Sequence, residues 1–240
     1  MTNMDNVASR LHSVLEQAAR APGDISIKTA WKYAFGIESA DLVLVYRNIF
    51  LLHQLLDELE RQIKSIPNIS HDLYLKSIPN IRQVLSLPNL NEAWSGHKHL
   101  LNAGVLGSLE FCAERLSNVR PEKVPPDEEI EALKQAVEEL REQVLSGGLN
   151  HELQFLLLDL LESMRRALYE YRFRGVSGLR QELFSILERL QKYSPIIKQH
   201  SEEPVVHSFW NILTRFDVLT SNCLNIPQIL GGISKLLGSG

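Results

Sequence analysis

The chain has 240 residues, 44% of them hydrophobic and 22% charged, with a formal charge of -4 and two cysteines. That length can bury a self-sufficient core in one large or two small domains, and those proportions exclude a disordered, collagen-like or long coiled-coil protein. A mildly acidic chain is not a generic binder of nucleic acid or anionic membranes, and Cys112 and Cys223, with no partner at a metal-ligand spacing, are expected to be reduced and mostly buried.

The first residues, MTNMDNVASRLHS, lack a basic patch followed by an apolar core, and Arg47 and His53 interrupt the best apolar window. Neither a secretory signal nor a transmembrane segment is expected, which points to a cytoplasmic protein. Val7, Leu11, Val14, Leu15 and Ala18 keep helical spacing up to a turn at Ala21 to Asp24. The stretch from Ile25 to Phe35 fits strand and helix periods equally; with no partner strand in the chain, a helix ended by Gly36 is expected.

A central helix is expected over 38–64. Leu42, Val45, Ile49, Leu52, Leu56, Leu59 and Ile63 form one seam, and Val43, Leu44, Phe50, Leu51 and Leu55 widen it, so the first half should be buried on several sides. From Asp57 to Gln62 the pattern turns polar.

The pentapeptide SIPNI then occurs at 65–69 and again at 77–81, followed by SLPNL at 86–90. Proline removes a donor and biases the preceding residue away from the helix, so each copy should cut the chain into a short helix and close one end of the fold as a zigzag. Asn80 and Asn89 are placed as caps, the latter with Glu92 as a capping box. A long helix over 91–119 is expected to turn Trp94, Leu101, Val105, Cys112, Leu116 and Val119 inward. Gly96, Gly104 and Gly107 weaken it by about 1 kcal/mol each and suggest close approach of a neighbour. Three prolines in 118–127 mark a linker, leaving 1–120 as an irregular helical region.

Residues 127–240 read as an antiparallel helical bundle. Asp127 should cap a helix carrying Ile130, Leu133, Val137, Leu140 and Val144, ended by Gly147 and Gly148. Asn150 opens an apolar helix through Tyr171. A turn at 175–178 with Ser177 as cap leads to Leu179, Leu183, Ile186, Leu187 and Leu190, and Pro204 starts a helix with Val206, Phe209, Trp210, Leu213 and Phe216 inward. The tail keeps a stripe of Ile226, Ile229, Leu230, Ile233, Leu236 and Leu237, which is expected to dock or fray. The fold class is therefore all-α.

Two constellations invite a functional reading. Arg47, Asn48 and His53 form Arg-Asn-x4-His, which resembles the motif of HEPN ribonucleases, an all-helical family. The resemblance implies metal-independent RNA cleavage, usually across a dimer, with the histidine assisting proton transfer and the arginine stabilising phosphate charge. On an ideal helix Arg47 and His53 lie about 120° apart around the axis and about 9 Å apart along it. Arg47 also shares its strip with Gln54 and Arg61, opposite the seam. The ribonuclease is therefore the alternative to a core helix with a polar edge.

The second constellation is Arg165, Arg166, Arg172, Arg174 and Arg180, set against Glu170 and interleaved with Tyr169, Tyr171 and Phe173. Arginine beside aromatics suits an anion, nucleic acid or acidic partner. The plainer reading is a set of cations near a helix C-terminus, favoured by its dipole.

His97 and His99 are two apart and face different ways on a helix, and His12, His71, His151, His200 and His207 lack partners at a recognised spacing, so no metal or cofactor is expected. Asp57, Glu58, Glu60, Glu138 and Glu139 read as solvated helix faces. The preferred function is a non-enzymatic interaction or regulatory protein that binds a protein partner or itself.

Overall fold

The computed structural model describes residues 6–39, 41–86, 90–119 and 124–220. The fold is all-α, and among the described residues the only extended pairing is one isolated antiparallel bridge between Ser26 and Ala93. The chain divides into two compact units, one comprising Met1–Val124 with Arg172–Arg174, the other Pro125–Tyr171 with Gly175–Gly240.

The first unit opens with α1 (Val7–Arg20), capped by Asn6, whose side-chain oxygen accepts from the amides of Ala8 and Ser9 at 3.0 and 3.1 Å. Such a cap satisfies amides that the first turn leaves without partners. The segment after it holds both characters seen in the sequence. Ile27 and Trp94 donate their amides to Glu92 and Ile25 at 2.9 and 2.8 Å, a scrap of ribbon, and α2 (Ile27–Phe35) follows at once. Gly36 ends α2 at φ 63°, the left-handed position where a side chain would be strained.

Asp41 caps α3 (Leu42–Lys64), accepting from Val43 N at 2.8 Å. The seam from Val45 to Ile63 is buried, and Leu52, Leu56, Leu59 and Ile63 are fully so, each stabilising by about 1.5–3 kcal/mol relative to exposure. The expected burial of its first half on several sides is corrected: Leu42, Val43, Leu44 and Phe50 are exposed, and of the added residues Leu51 and Leu55 are buried. Among the described residues, neighbours cover only the seam side of α3 there.

The two SIPNI copies adopt different structures. In the first, Asn68 takes φ 59° in a turn; in the second, Pro79 lies in the first turn of α5 (Ile78–Leu85), where its missing N–H costs nothing. Asn80 is thus inside the helix and not its cap, while Asn89 lies outside the described residues. Between the copies sits α4 (His71–Leu75).

The single helix expected over 91–119 is replaced by three pieces: α6 (Ser95–Lys98), a 3-10 turn (His99–Leu101) and α7 (Ala103–Val119). Asn102 makes the break. Its backbone is extended and its side-chain oxygen caps the amides of Gly104 and Val105 at 3.0 and 3.1 Å. Val119 is exposed rather than inward, and Gly96 and Gly107 face open space rather than a close neighbour.

An aromatic cluster centres this unit. Trp31 stacks on Phe35 at 5.3 Å and meets Trp94 edge-on at 5.9 Å, and Phe173 meets Phe35 edge-on at 5.9 Å. Asn6 also ties α1 to α7 by donating to Ala113 O at 2.9 Å.

In the second unit α8 (Asp127–Ser146) starts one residue earlier than expected. Pro126 occupies the cap position, and Asp127, Glu128 and Glu129 line the first turn, where the dipole favours them. Asn150 caps α9 (His151–Lys192), whose backbone leaves the helix at Gly175 with φ 57° and ψ -161°. Long-range pairs give the directions. Gln154 donates to Val144 O, Arg165 faces Glu138 and Lys134 lies over Tyr169, so α8 and the first arm of α9 run antiparallel. Arg189 reaches Asp159 and Ser163 while Arg166 faces Glu182, so the arm after Gly175 returns along the first. The short α10 (Ser194–Gln199) leads to α11 (Pro204–Thr220), which packs on α8. The apolar stripe at 226–237 lies outside the described residues.

Candidate functional site

Helix α3 carries a second apolar stripe. Val43, Tyr46 and Phe50 recur at spacings of three and four on the side away from the buried seam, and they are 72%, 56% and 60% exposed. Leu42 and Leu44 are exposed beside them at the helix start. Solvent-facing apolar residues scattered singly are ordinary, whereas a contiguous stripe on one helix face is the form in which a helix docks into a groove.

Arg47 is exposed in the same strip, Asn48 is half-buried, and His53 is half-buried with Nε2 at 3.3 Å from Leu85 O, the last residue of α5. The helix is unbroken through all three, so nothing reduces the separation of about 120° and about 9 Å between Arg47 and His53. Arg47, Asn48 and His53 therefore occupy one helix without converging. Asp57 and Glu60, expected only to be solvated, instead clamp Arg82 of α5 at 2.8 and 2.6 Å, and these bonds raise the arginine pKa.

The arginine constellation is divided. Arg172 and Arg174 belong to the first unit, and Arg165, Arg166 and Arg180 to the second. Arg172 donates to the carbonyls of Phe35 and Ala34, both at 2.9 Å, and its guanidinium lies over the rings of Phe173 and Phe35. This places a cation on the C-terminal carbonyls of α2, where the dipole favours it, although burial lowers its pKa. Arg165 makes a bidentate pair with Glu162, both contacts at 2.7 Å, and that bond holds the Glu162 carboxyl below its usual range. Arg166 is 3.9 Å from Glu182. Arg180 has a buried Nε without an acceptor among the described residues.

A feature with no signature in the sequence lies between α4 and α7, a cleft of about 330 Å3 lined by Leu73, Tyr74, Lys76, Phe111, Glu114 and Arg115. Behind it the Cys112 thiol donates to Tyr74 O at 3.4 Å, and burial pushes its pKa up to about 12, so it acts as a packing group rather than a nucleophile. Only the pairing of α4 with α7 creates this space. The α7 wall, Phe111 and Arg115, is spaced by four on one helix, and the other wall is the short helix expected between the SIPNI copies; what no pattern announced is that the two pack side by side.

Among the described residues no group of three or more histidine, cysteine or acidic side chains is arranged to hold a metal, and no helix is long and apolar enough to cross a membrane. No protein-family model, curated protein or solved structure matches the chain.

Proposed function

We propose that the chain is a non-enzymatic helical interaction module that uses the Val43, Tyr46 and Phe50 face of α3 to bind a protein partner or a second copy of itself. The observation that supports this reading is that face: three large apolar side chains at helical spacing, exposed on a helix whose opposite side is fully packed. Aromatic anchors such as Tyr46 and Phe50 contribute large contact areas at low entropic cost, which is why aromatic residues are enriched at interfaces.

The test is site-specific photo-crosslinking in cells, with p-benzoylphenylalanine in place of Tyr46. One discrete adduct, with itself or with one other protein, is expected, and it should vanish when Val43→Ser and Phe50→Ser are combined. An adduct pattern at position 46 no different from that at Glu139, an exposed position on α8, overturns the reading. So does cleavage of labelled RNA by the purified protein that is lost in His53→Ala with folding intact.

A further inference from the structure

The cleft between α4 and α7 carries an unmet electrostatic demand. Arg115 lies on the α7 wall, half-buried, and its Nε is buried without any acceptor among the described residues. Arg115 as a whole has no hydrogen-bond or ion-pair partner among the described residues, and a planar guanidinium fork fits a carboxylate best. Lys76 stands at the same cleft and Glu114 on its rim, so the charged lining carries one net positive charge. The rest is apolar. Phe111 and Leu73, 66% and 60% exposed, form opposing lips, and Tyr74 lines the space between them. A volume of about 330 Å3 is at the lower end for small-molecule sites and equals the liquid volume of about eleven waters.

A single anionic head beside an apolar body answers each of these features. We infer that this cleft binds a small amphipathic monocarboxylate, its carboxylate taken by Arg115 with support from Lys76 and its body held between Phe111 and Leu73. Glu114 disfavours a second negative charge, which sets the class as a monoanion. The cleft is independent of the exposed face of α3, so either can fail without the other.

The experiment compares octanoate, octan-1-ol and octylammonium, which share a chain and differ in head charge, by calorimetric titration and by NMR shift mapping on the full chain. Octanoate is expected to saturate with Kd on the order of 1 mM or tighter, about tenfold tighter than octan-1-ol, with octylammonium weaker than both and the shifts centred on Tyr74 and Phe111. Arg115→Gln should erase the preference for octanoate over octan-1-ol, and Phe111→Ala should weaken both about equally. Octylammonium binding as tightly as octanoate, octanoate affinity unchanged in Arg115→Gln, or no saturation by about 10 mM overturns the proposal. If Arg115→Gln does not fold, Lys76→Gln alters only an exposed side chain. A severalfold loss of octanoate affinity there supports the site, and no loss overturns it.

Discussion

Trp31 and Trp94 are both fully buried and meet edge to face, but they differ in one hydrogen bond. The Trp94 indole N–H donates to Ala18 O at 3.2 Å, whereas the Trp31 indole N–H has no acceptor among the described residues. Replacing either by phenylalanine removes a similar apolar area. Trp94→Phe also loses a bond, while Trp31→Phe relieves an unmet donor, so chemical denaturation should show Trp94→Phe as the more destabilising by about 1–3 kcal/mol. Two glycines should give opposite signs on the same measurement. Gly175 sits at φ 57° and ψ -161°, a region accessible almost only to glycine, so Gly175→Ala is expected to cost about 1–3 kcal/mol. Gly107 lies inside α7 with nothing near the position a Cβ would take, so Gly107→Ala should gain about 0.5–1 kcal/mol.

Asp217 supplies a pH dependence at the same scale. It is buried in α11, and burial raises its carboxyl pKa, partly opposed by the Thr220 hydroxyl. The folded state therefore holds the proton more tightly than the unfolded chain does. Stability linked to this group is complete below the ordinary aspartate pKa of about 3.9 and declines as pH rises from there through the raised folded value. Asp217→Asn removes that loss, so its melting temperature should exceed that of the parent at pH 7, with the gain shrinking as pH is lowered toward 4.

At the scale of elements, α3 shows how far periodicity carries. The seam from Val45 to Ile63 was readable because spacings of three and four repeat without interruption, and it is buried. The opposite stripe has the same spacing and is not. Hydrophobic periodicity identifies faces that can be buried, but which of them finds a partner depends on what the rest of the chain brings there. The consequence is measurable. Val43→Ser and Phe50→Ser should each change the stability of the isolated chain by no more than about 0.5 kcal/mol, whereas Leu52→Ala and Leu56→Ala should each cost about 2–5 kcal/mol.

The SIPNI copies make the same point about local sequence. Identical pentapeptides form a turn with Asn68 left-handed in one place and the start of α5 in the other, so flanking residues decide between two conformations open to both. The break at Asn102 was missed for a related reason. Asparagine in a helical stretch reads as a weak helix former, and its capping role becomes visible only when the chain before it turns away. The cleft of Arg115 and Phe111 was not legible for another reason: a short helix between the SIPNI copies was expected, but nothing in the five residues of α4 says which helix it packs against.

For the whole molecule, chain order and compact units do not coincide. A proline-rich break near 118–127 is legible, and the units divide between Val124 and Pro125, but Arg172–Arg174 rejoin the first unit. No local pattern could announce this, because Phe173 and its neighbours read as part of an arginine-aromatic stretch at a helix end. In the structure Phe173 is 2% exposed in the first core, its ring against Phe35, and its carbonyl accepts from the buried Arg10 Nε at 3.3 Å. Three residues distant in sequence thus complete the aromatic cluster of Trp31, Phe35 and Trp94. Phe173→Ala should open a cavity there and cost about 3–5 kcal/mol. Of the three tryptophans, Trp31 and Trp94 belong to the first unit and Trp210 to the second. In a Trp210→Phe background the fluorescence therefore reports the first unit alone. There Phe173→Ala should shift the denaturation midpoint to lower denaturant, while Phe155→Ala, which alters an exposed ring of the second unit, should leave it unchanged. A midpoint unmoved by Phe173→Ala would mean that the first unit closes its core without this segment.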